Sequence, residues 1–439
     1  MVIANWNSYP RIEANLWDFR AEAEALELLH KLDSCIPRGM GRSYGDCSLA
    51  SHIISTPGFN RFISLDQEQG ILECEAGTSL KDILRVILPL GWFLPVTPGT
   101  KYITLGGAIA SDVHGKNHHI HGAFGSHVHS LRMLTPQGEV ITCSREQNPE
   151  VFSAVCGGMG LVGLILSARI RLMPIHSVYI RQKTIPAGSL DQLMELFELH
   201  EDCTYSVAWM DCLSKGQNRG LFMLGEHCTA KEAPDRNLSP PERAGLSIPG
   251  HLPGWVLSRA ALKAFNSLYY TRGRANAGYS FQDLESFFYP LDRVQHWNRL
   301  YGSKGFLQYQ FVLPKEDSRP GLKRILDHIN SFGLPPYLAV LKLLGSHKGL
   351  LSFPMRGYTL ALDFPMKPGL TALLNTLDQL VHDLGGRVYL AKDARMNQNS
   401  FIRGYPESRR FLEIKHGLDP DNKMTSLQSK RLGLCAKAY

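Results

Sequence analysis

What the 439-residue chain lacks removes several classes of protein at once. No stretch of about 18 consecutive apolar residues occurs, so no membrane-spanning helix is expected. The N-terminus, MVIANWNSYPRIEANLW, has no basic segment followed by an apolar one, so no export signal is read there and a cytoplasmic location is expected. The nine cysteines are odd in number and none stands in a Cys-x-x-Cys pair, which speaks for reduced thiols. Like charges never form a long run, and 47 basic against 40 acidic residues leave a net charge of +7. That mild bias suits an anionic ligand or an acidic membrane surface. A nucleic-acid binder would gather its Lys and Arg on one element, so no such partner is expected. Nor is there a strand, G-x-G-x-x-G, helix unit or a GK[ST] ending, which disfavours a Rossmann dehydrogenase and a P-loop NTPase.

What is present is a chain long and apolar enough, at 44% hydrophobic residues, for two domains sharing an interface. Residues 62 to 175 alternate short strands (FISLD, ILECEAG) with turns. A helix is expected from about Ser79, where Leu80, Ile83, Leu84, Ile87 and Leu88 share one face. Between Val128 and Cys143 two apolar runs flank TPQG, in which Pro136 pre-sets a turn and Gly138 closes it, so a hairpin is expected. A second region, roughly 179 to 386, carries helices near 190–200, 320–332 and 370–384, the last closed by Gly385 and Gly386. They alternate with strands YSVAWMD, FLQYQFVLP, YLAVLKLLG and YTLALDFP. The expected fold class is α+β, with an antiparallel sheet covered by helices on one face. Residues 230 to 254 hold five prolines and no apolar period, and predict a mobile loop. No internal repeat is found.

Three glycine-rich segments carry the functional signal: PRGMGRSYGD (Pro37 to Asp46), PGTKYITLGGAIASDVHGKNHH (Pro98 to His119) and CGGMGLVGLI (Cys156 to Ile165). Each exposes backbone N–H groups that no side chain blocks, which a diphosphate requires. Any one of them can be an ordinary turn; three in one region point to a dinucleotide.

The segments RGMGRSYGD, PVTPGT, TLGGAIASDVHGKNHH, GFLQYQFVLP and YLAKDAR, in this order and spacing, resemble the decaprenylphosphoryl-β-D-ribose 2′-oxidase family, FAD enzymes of the vanillyl-alcohol-oxidase (PCMH) type. The likeness runs from about Pro37 to LDPDNKMTSLQSKRL. It implies that residues 1–178, completed by 387–439, hold FAD, and that 179–386 form a substrate domain. By matching positions, Arg38, Gly39, Met40, Gly41, Arg42, Ser43, Tyr44 and Asp46 wrap the diphosphate. Pro98, Gly99, Thr100, Thr104, Gly106, Gly107 and Ala108 follow the phosphate and ribityl chain. Ser111, Asp112, His114 and Gly115 reach the flavin, and Gly160, Val162, Gly163 and Tyr389 complete the site. Covalent relatives place a histidine in a G-x-G-H-S segment; here the stretch reads Gly39-Met40-Gly41-Arg42-Ser43, so noncovalent FAD is implied, with His114 a second conceivable attachment point.

Removing a hydride from a secondary carbinol requires fixed polar groups around one oxygen. Lys392 matches the family lysine beside the flavin; read without the family it is a solvated strand end. Gln308 and Gln310, two apart in an apolar strand, share one face. They are either a buried hydrogen-bonded pair or, as the resemblance implies, groups that touch flavin or substrate. Tyr44, His114, Lys116, Tyr289, Lys342 and Thr359 map onto pocket-lining positions, with Lys116 and Lys342 suited to a substrate phosphate. The histidine run His114, His118, His119, His121, His127 and His129 has no acidic or cysteine partner at ligand spacing, so no metal is expected. His118 and His119 are assigned to loop caps or cofactor hydrogen bonds, and Asn117 to cofactor binding. At Ala361 mycobacterial members carry cysteine, and Thr359 replaces an asparagine, so the pocket's shape is this chain's own.

The substrate the resemblance implies is a polyprenyl-phosphoryl ribofuranose, oxidised at its 2′-hydroxyl. Quinone or oxygen would reoxidise the FAD, an NAD(P)H-dependent keto-reductase would complete epimerisation to the arabino form, and peripheral contact with the plasma membrane's inner face would follow from the lipid. The same flavin chemistry on an aldonolactone, alditol or nucleotide-linked sugar, and a non-catalytic flavin or glycolipid binder, are the alternatives.

Overall fold

The computed structural model describes residues 1–214, 218–235, 238–239, 245–253 and 257–435. Two antiparallel sheets dominate an α+β architecture. The smaller has five strands in the order Val140–Ser144, Val128–Leu134, Leu164–Arg171, Ile71–Glu75, Phe62–Asp66. Its first pair is the expected hairpin, closed by Gly138 at φ +93°. A three-stranded parallel sheet, Asn15–Asp18, His52–Ser55 and Ile36–Arg38, stands beside it. The helix Leu80–Ile87 starts where its chemistry dictates: the Ser79 hydroxyl accepts from the Asp82 N–H, and Leu80, Ile83, Leu84 and Ile87 are buried.

The larger sheet has eight strands in the order Gly278–Asp283, Tyr179–Ala187, Gly220–His227, Tyr205–Met210, Leu338–Leu344, Gly357–Pro365, Phe306–Pro314, Arg387–Val388. Helices Leu190–Leu199, Lys315–Phe332 and Leu370–Asp383 pack on it. The Phe197 and Phe222 rings, 4.7 Å apart, mark the helix-covered face. Lys315–Phe332 begins five residues before the expected start. Pro320 is not in its first turn, which is instead KEDS, with Glu316 and Asp317 at the end of the helix that favours negative charge.

Three strands, Tyr179–Ala187, Gly220–His227 and Gly278–Asp283, were not among the expected elements. Nor was the helix Arg259–Ala275. The edge pair is half-exposed and polar (YIRQKTIPA, GYSFQD), so the apolar run that marks a buried strand is missing. The helix lies on the sheet face opposite the other three, where Tyr269 packs on Trp209 at 4.7 Å, so helices do not keep to one face. Of the stretch 230–254, expected as a mobile loop, residues 236–237, 240–244 and 254 lie outside the described residues. In the remainder Leu246–Ser247 pairs in parallel with Val294–Gln295.

One apolar core runs continuously through both large sheets. A smaller one, including Phe19, Leu29, Cys35, Ile54 and Met424, ties the chain end to the N-terminal region. There Cys35 N–H donates to Lys423 O at 2.8 Å, and Thr425 N–H donates to Cys35 O at 2.9 Å. All nine cysteines are free, and among the described residues no helix is long and apolar enough to cross a membrane.

Candidate active site

A cavity of about 730 Å³ lies where the glycine-rich segments meet the face of the eight-stranded sheet free of the three packed helices. Arg38 to Tyr44, Pro98 to Thr100, Thr104, Gly106, Gly107, Ser111, Gly160 and Gly163 form one wall. Gln308, Gln310, Lys342, Ala361 and Trp209 line the sheet side, and His114, Lys116, Tyr389 and Lys392 reach in between. The volume is that of a cofactor-sized site. Its glycine wall depends on missing side chains. A Cβ at Gly39 would fall 2.3 Å from the Thr104 hydroxyl, which caps the helix Leu105–Ala110 by accepting from Gly107 N–H at 3.1 Å. Gly41, at φ +61°, turns the chain where a Cβ would lie 2.1 Å from the Arg38 guanidinium. Backbone from two segments can therefore approach a ligand closely, as a dinucleotide phosphate chain demands.

The other positions singled out in the sequence sit behind this wall. Asp46 is ion-paired to Arg431 at 2.6 Å. Asp112 accepts from Gly125 N–H at 2.9 Å and contacts His347 at 2.8 Å. Asn117 donates to Pro95 O, His118 Nδ1 accepts from Gly345 N–H, and the His119 ring bonds Cys203 O, so all three tie loops together. Ala108 and Val162 are packed in the core. Gly115 lets the chain pass the Thr97 carbonyl, Tyr289 meets the Thr97 hydroxyl at 2.6 Å, and Thr359 holds Gln310. These residues shape the cavity without facing it.

Sheet register assembles the polar cluster. Gln308 lies opposite Asp363, Gln310 opposite Ala361, and Lys342 opposite Thr359, so alternation brings amides, carboxylate and ammonium onto one face. Lys392 arrives from the turn after Arg387–Val388, the strand beside Phe306–Pro314, where Tyr389 N–H donates to Gln310 O at 2.9 Å. Its Nζ stands 3.6 Å from the centre of the Tyr44 ring. Asp363 is buried and accepts from Gln308 Nε2 at 2.6 Å and Tyr301 Oη at 3.1 Å.

A directed hydrogen-bond chain fixes the middle of the site. The Thr359 hydroxyl donates to Phe311 O at 2.8 Å and so accepts from Gln310 Nε2 at 3.2 Å. The same amide nitrogen donates to His114 Nε2 at 3.0 Å, which places the His114 proton on Nδ1, a buried atom with no partner among the described residues.

Burial dominates the electrostatics. It pushes Lys392 down to about 7, with Asp363 pulling upward and Lys342 adding to the depression. It lowers Lys342 to about 8, and Lys116 to about 7 with Lys342 contributing. Burial raises Asp363 to about 6 against its Gln308 bond and the Lys392 charge. His114 is held well below the ordinary histidine range by burial and then by Lys342, and is neutral. Lys116 donates to Phe287 O and lies 4.1 Å from the Phe287 ring centre.

Several site residues escaped sequence reading. Asp363 is a lone carboxylate inside the apolar strand YTLALDFP, and that isolation was the available signal. Asp292 accepts from Lys101 N–H at 2.9 Å on the cavity rim, and the Arg42 guanidinium lies 3.9 Å over Trp6; neither Asp292 nor Trp6 carries a local pattern. A lysine poised to gain or lose a proton and two fixed amides around one space, one of them held by a buried carboxylate, can bind and deprotonate a hydroxyl.

Comparison with known proteins agrees with this geometry. A family model for an FAD binding domain matches residues 23–144. The chain is similar to a decaprenylphosphoryl-β-D-ribose oxidase of Mycolicibacterium smegmatis, 37% identical over 91% of this chain and 89% of the relative. It is also similar to an uncharacterized protein of Streptomyces coelicolor, 31% identical over 81% of this chain and all of that one. L-gulonolactone oxidase of Scyliorhinus torazame matches at 27% over 35% of this chain and 36% of its own. The first likeness spans both the glycine wall and the polar sheet face: the protein is an FAD-dependent oxidoreductase with a PCMH-type FAD-binding fold, and it belongs to the decaprenylphosphoryl-β-D-ribose oxidase family.

Proposed function

We propose that the protein oxidises the 2′-hydroxyl of a polyprenyl-phosphoryl-β-D-ribofuranose to the 2′-keto sugar, the first half of an epimerisation to the arabino form. The observation that carries this reading is the Lys392, Gln308 and Gln310 cluster facing the glycine-lined wall across one cavity, with the Asp363 carboxylate holding Gln308 from behind. FAD, when bound, supplies the two-electron acceptor for the carbinol hydride. In this reading residues 1–178 with 387–439 hold the cofactor, and 179–386 present the substrate. Arg38 to Tyr44 and Pro98 to Gly107 embrace the phosphates, with Asp46 bracing the first segment from behind through Arg431.

Lys392, in its neutral form, takes the hydroxyl proton at Nζ; Gln310 and the Nδ1 proton of His114 orient the sugar, and Tyr44 forms the platform for Lys392. Lys116 and Lys342 receive the substrate phosphate, whose charge lowers the cost of keeping two cations buried. The cofactor is held without a covalent bond, since Arg42 replaces the attached histidine of relatives and the His114 ring is engaged by Gln310. Electrons pass on to quinone or oxygen, and an NAD(P)H-dependent keto-reductase takes the product, at the cytoplasmic face of a membrane.

Anaerobic mixing tests the substrate. Polyprenyl-phosphoryl ribose is expected to bleach the flavin and yield the 2′-keto sugar, whereas aldonolactones, alditols and nucleotide-linked sugars do not. Bleaching by one of those alone overturns the assignment. Acid precipitation of the same sample is expected to release the yellow colour to the supernatant.

The titration of Lys392 sets a pH dependence. Its amine accepts a proton only when neutral, so the flavin-reduction rate is expected to rise with pH through about 7 and level off above. Lys342→Met removes a neighbouring positive charge that favours the neutral amine, so the midpoint moves to higher pH. A flat profile, or an unmoved midpoint in the variant, would argue against Lys392 as the proton acceptor.

A further inference from the structure

The 17-residue helix Arg259–Ala275 is joined to the rest of the protein along a narrow line: only Leu262 and Asn266 are fully buried. Its flank bearing Ala261, Phe265 and Leu268 faces solvent, with Phe265 60% and Leu268 68% exposed. Side chains three and four apart share a helix face, so these form one apolar stripe, continued by Tyr269, 40% exposed. A soluble surface scatters such residues singly; a stripe of them marks an interaction site.

The same helix carries Arg259, Lys263, Arg272 and Arg274 and no Asp or Glu. None of the four is paired with a carboxylate among the described residues. Phe265 and Tyr269 also line the cavity, so the stripe runs from open surface to the active-site mouth.

We propose that this helix docks the protein on an anionic phospholipid bilayer, with Phe265 and Leu268 inserted at the acyl boundary and the cations among the headgroups, so that the cavity mouth opens onto lipid. An interfacial helix needs an apolar face, a polar side rich in cations and too little hydrophobicity to span; here Phe265 and Leu268 supply the first, and Arg259, Lys263 and Arg274 stand on the other side of the helix. A second copy fits less well, because two-fold pairing would bring four cations against four with no acid to offset them. The inference rests on the proposed function in one respect: a polyprenyl tail leaving the cavity crosses Phe265 and Tyr269 and needs an apolar medium beyond them.

The test is co-sedimentation of the FAD-loaded protein with vesicles of phosphatidylcholine containing phosphatidylglycerol. Binding is expected to weaken about tenfold or more on vesicles of phosphatidylcholine alone, in high salt, and in Leu268→Glu. Ala261→Glu serves as a second variant should the first not fold. Equal binding by the variants and the wild type overturns the proposal. So does sedimentation velocity without vesicles showing a dimer that Leu268→Glu dissociates, which would assign the stripe to self-association. Flavin bleaching by detergent-dispersed polyprenyl-phosphoryl ribose, measured on the same samples, separates the two readings. Bleaching without vesicle binding removes the docking surface alone, and vesicle binding without bleaching removes the substrate alone.

Discussion

Lys392→Ala is expected to slow flavin reduction by substrate on the order of 10²- to 10⁴-fold while the protein stays folded and yellow. The range is that of a positioned proton acceptor. The side chain belongs to a short turn whose backbone is held independently, by Tyr389 N–H on Gln310 O and by Tyr44 N–H on Ala391 O at 3.0 Å, so its loss leaves the frame in place. Asp363 keeps its bonds from Gln308 and Tyr301 and, without the neighbouring ammonium, shifts further toward its neutral acid. Lys392→Arg separates two roles. A guanidinium donates to an alkoxide but does not take a proton near neutral pH. If proton acceptance is the role, Arg is nearly as slow as Ala; if charge alone is, Arg restores much of the rate. Stopped-flow bleaching at saturating substrate reads both, and an unchanged rate in Ala would place the chemistry elsewhere.

Arg431→Ala is expected to destabilise the protein by about 3–5 kcal/mol and to weaken retention of FAD, because it strands two buried carboxylates. Arg431 Nη2 meets Asp46 Oδ1 at 2.6 Å and its Nη1 meets Asp393 Oδ2 at 2.8 Å, where the carboxylate side chains are only 6% and 1% exposed. Asp46 follows the glycine segment that ends at Tyr44, and Asp393 follows Lys392. The bridge therefore fastens the chain end to the cofactor wall. Gly45 allows the fit, since a Cβ there would lie 1.8 Å from Asp393 O. Arg431→Lys keeps a charge but cannot span both carboxylates with a planar fork, and falls between wild type and Ala. Thermal unfolding with and without added FAD measures both effects. A melting temperature unchanged by Arg431→Ala would mean that the pair is not a structural tie.

Most of the frame was legible because its signals are local. Ser79 with the apolar face of Leu80 to Ile87 gives a capped helix, TPQG gives the hairpin, and FLQYQFVLP gives a strand whose two glutamines share a side. The edge strand Gly278–Asp283 and its neighbour Tyr179–Ala187 were not legible, because polar residues spread along a half-exposed strand leave no apolar run. Among site residues, glycine-rich backbone announces itself, whereas Asp363 is a single letter in an apolar strand. Asp112, Asn117, His118 and His119 sit within a glycine-rich motif yet turn away from the cavity to tie loops, which no motif spacing reveals.

The sequence by itself determined that three stretches of the chain would offer unobstructed backbone, that Gln308 and Gln310 would point together, and that helices and antiparallel strands would build an α+β protein. Those follow from residue size and from the two periods of the backbone, properties that act over a few residues. Only the tertiary structure decided that Lys392 would stand over Tyr44 near Asp363, and that burial would bring its proton affinity down to about 7. Proximity across hundreds of residues is fixed by sheet register and by the docked chain end, and a proton affinity is fixed by how much water that packing removes.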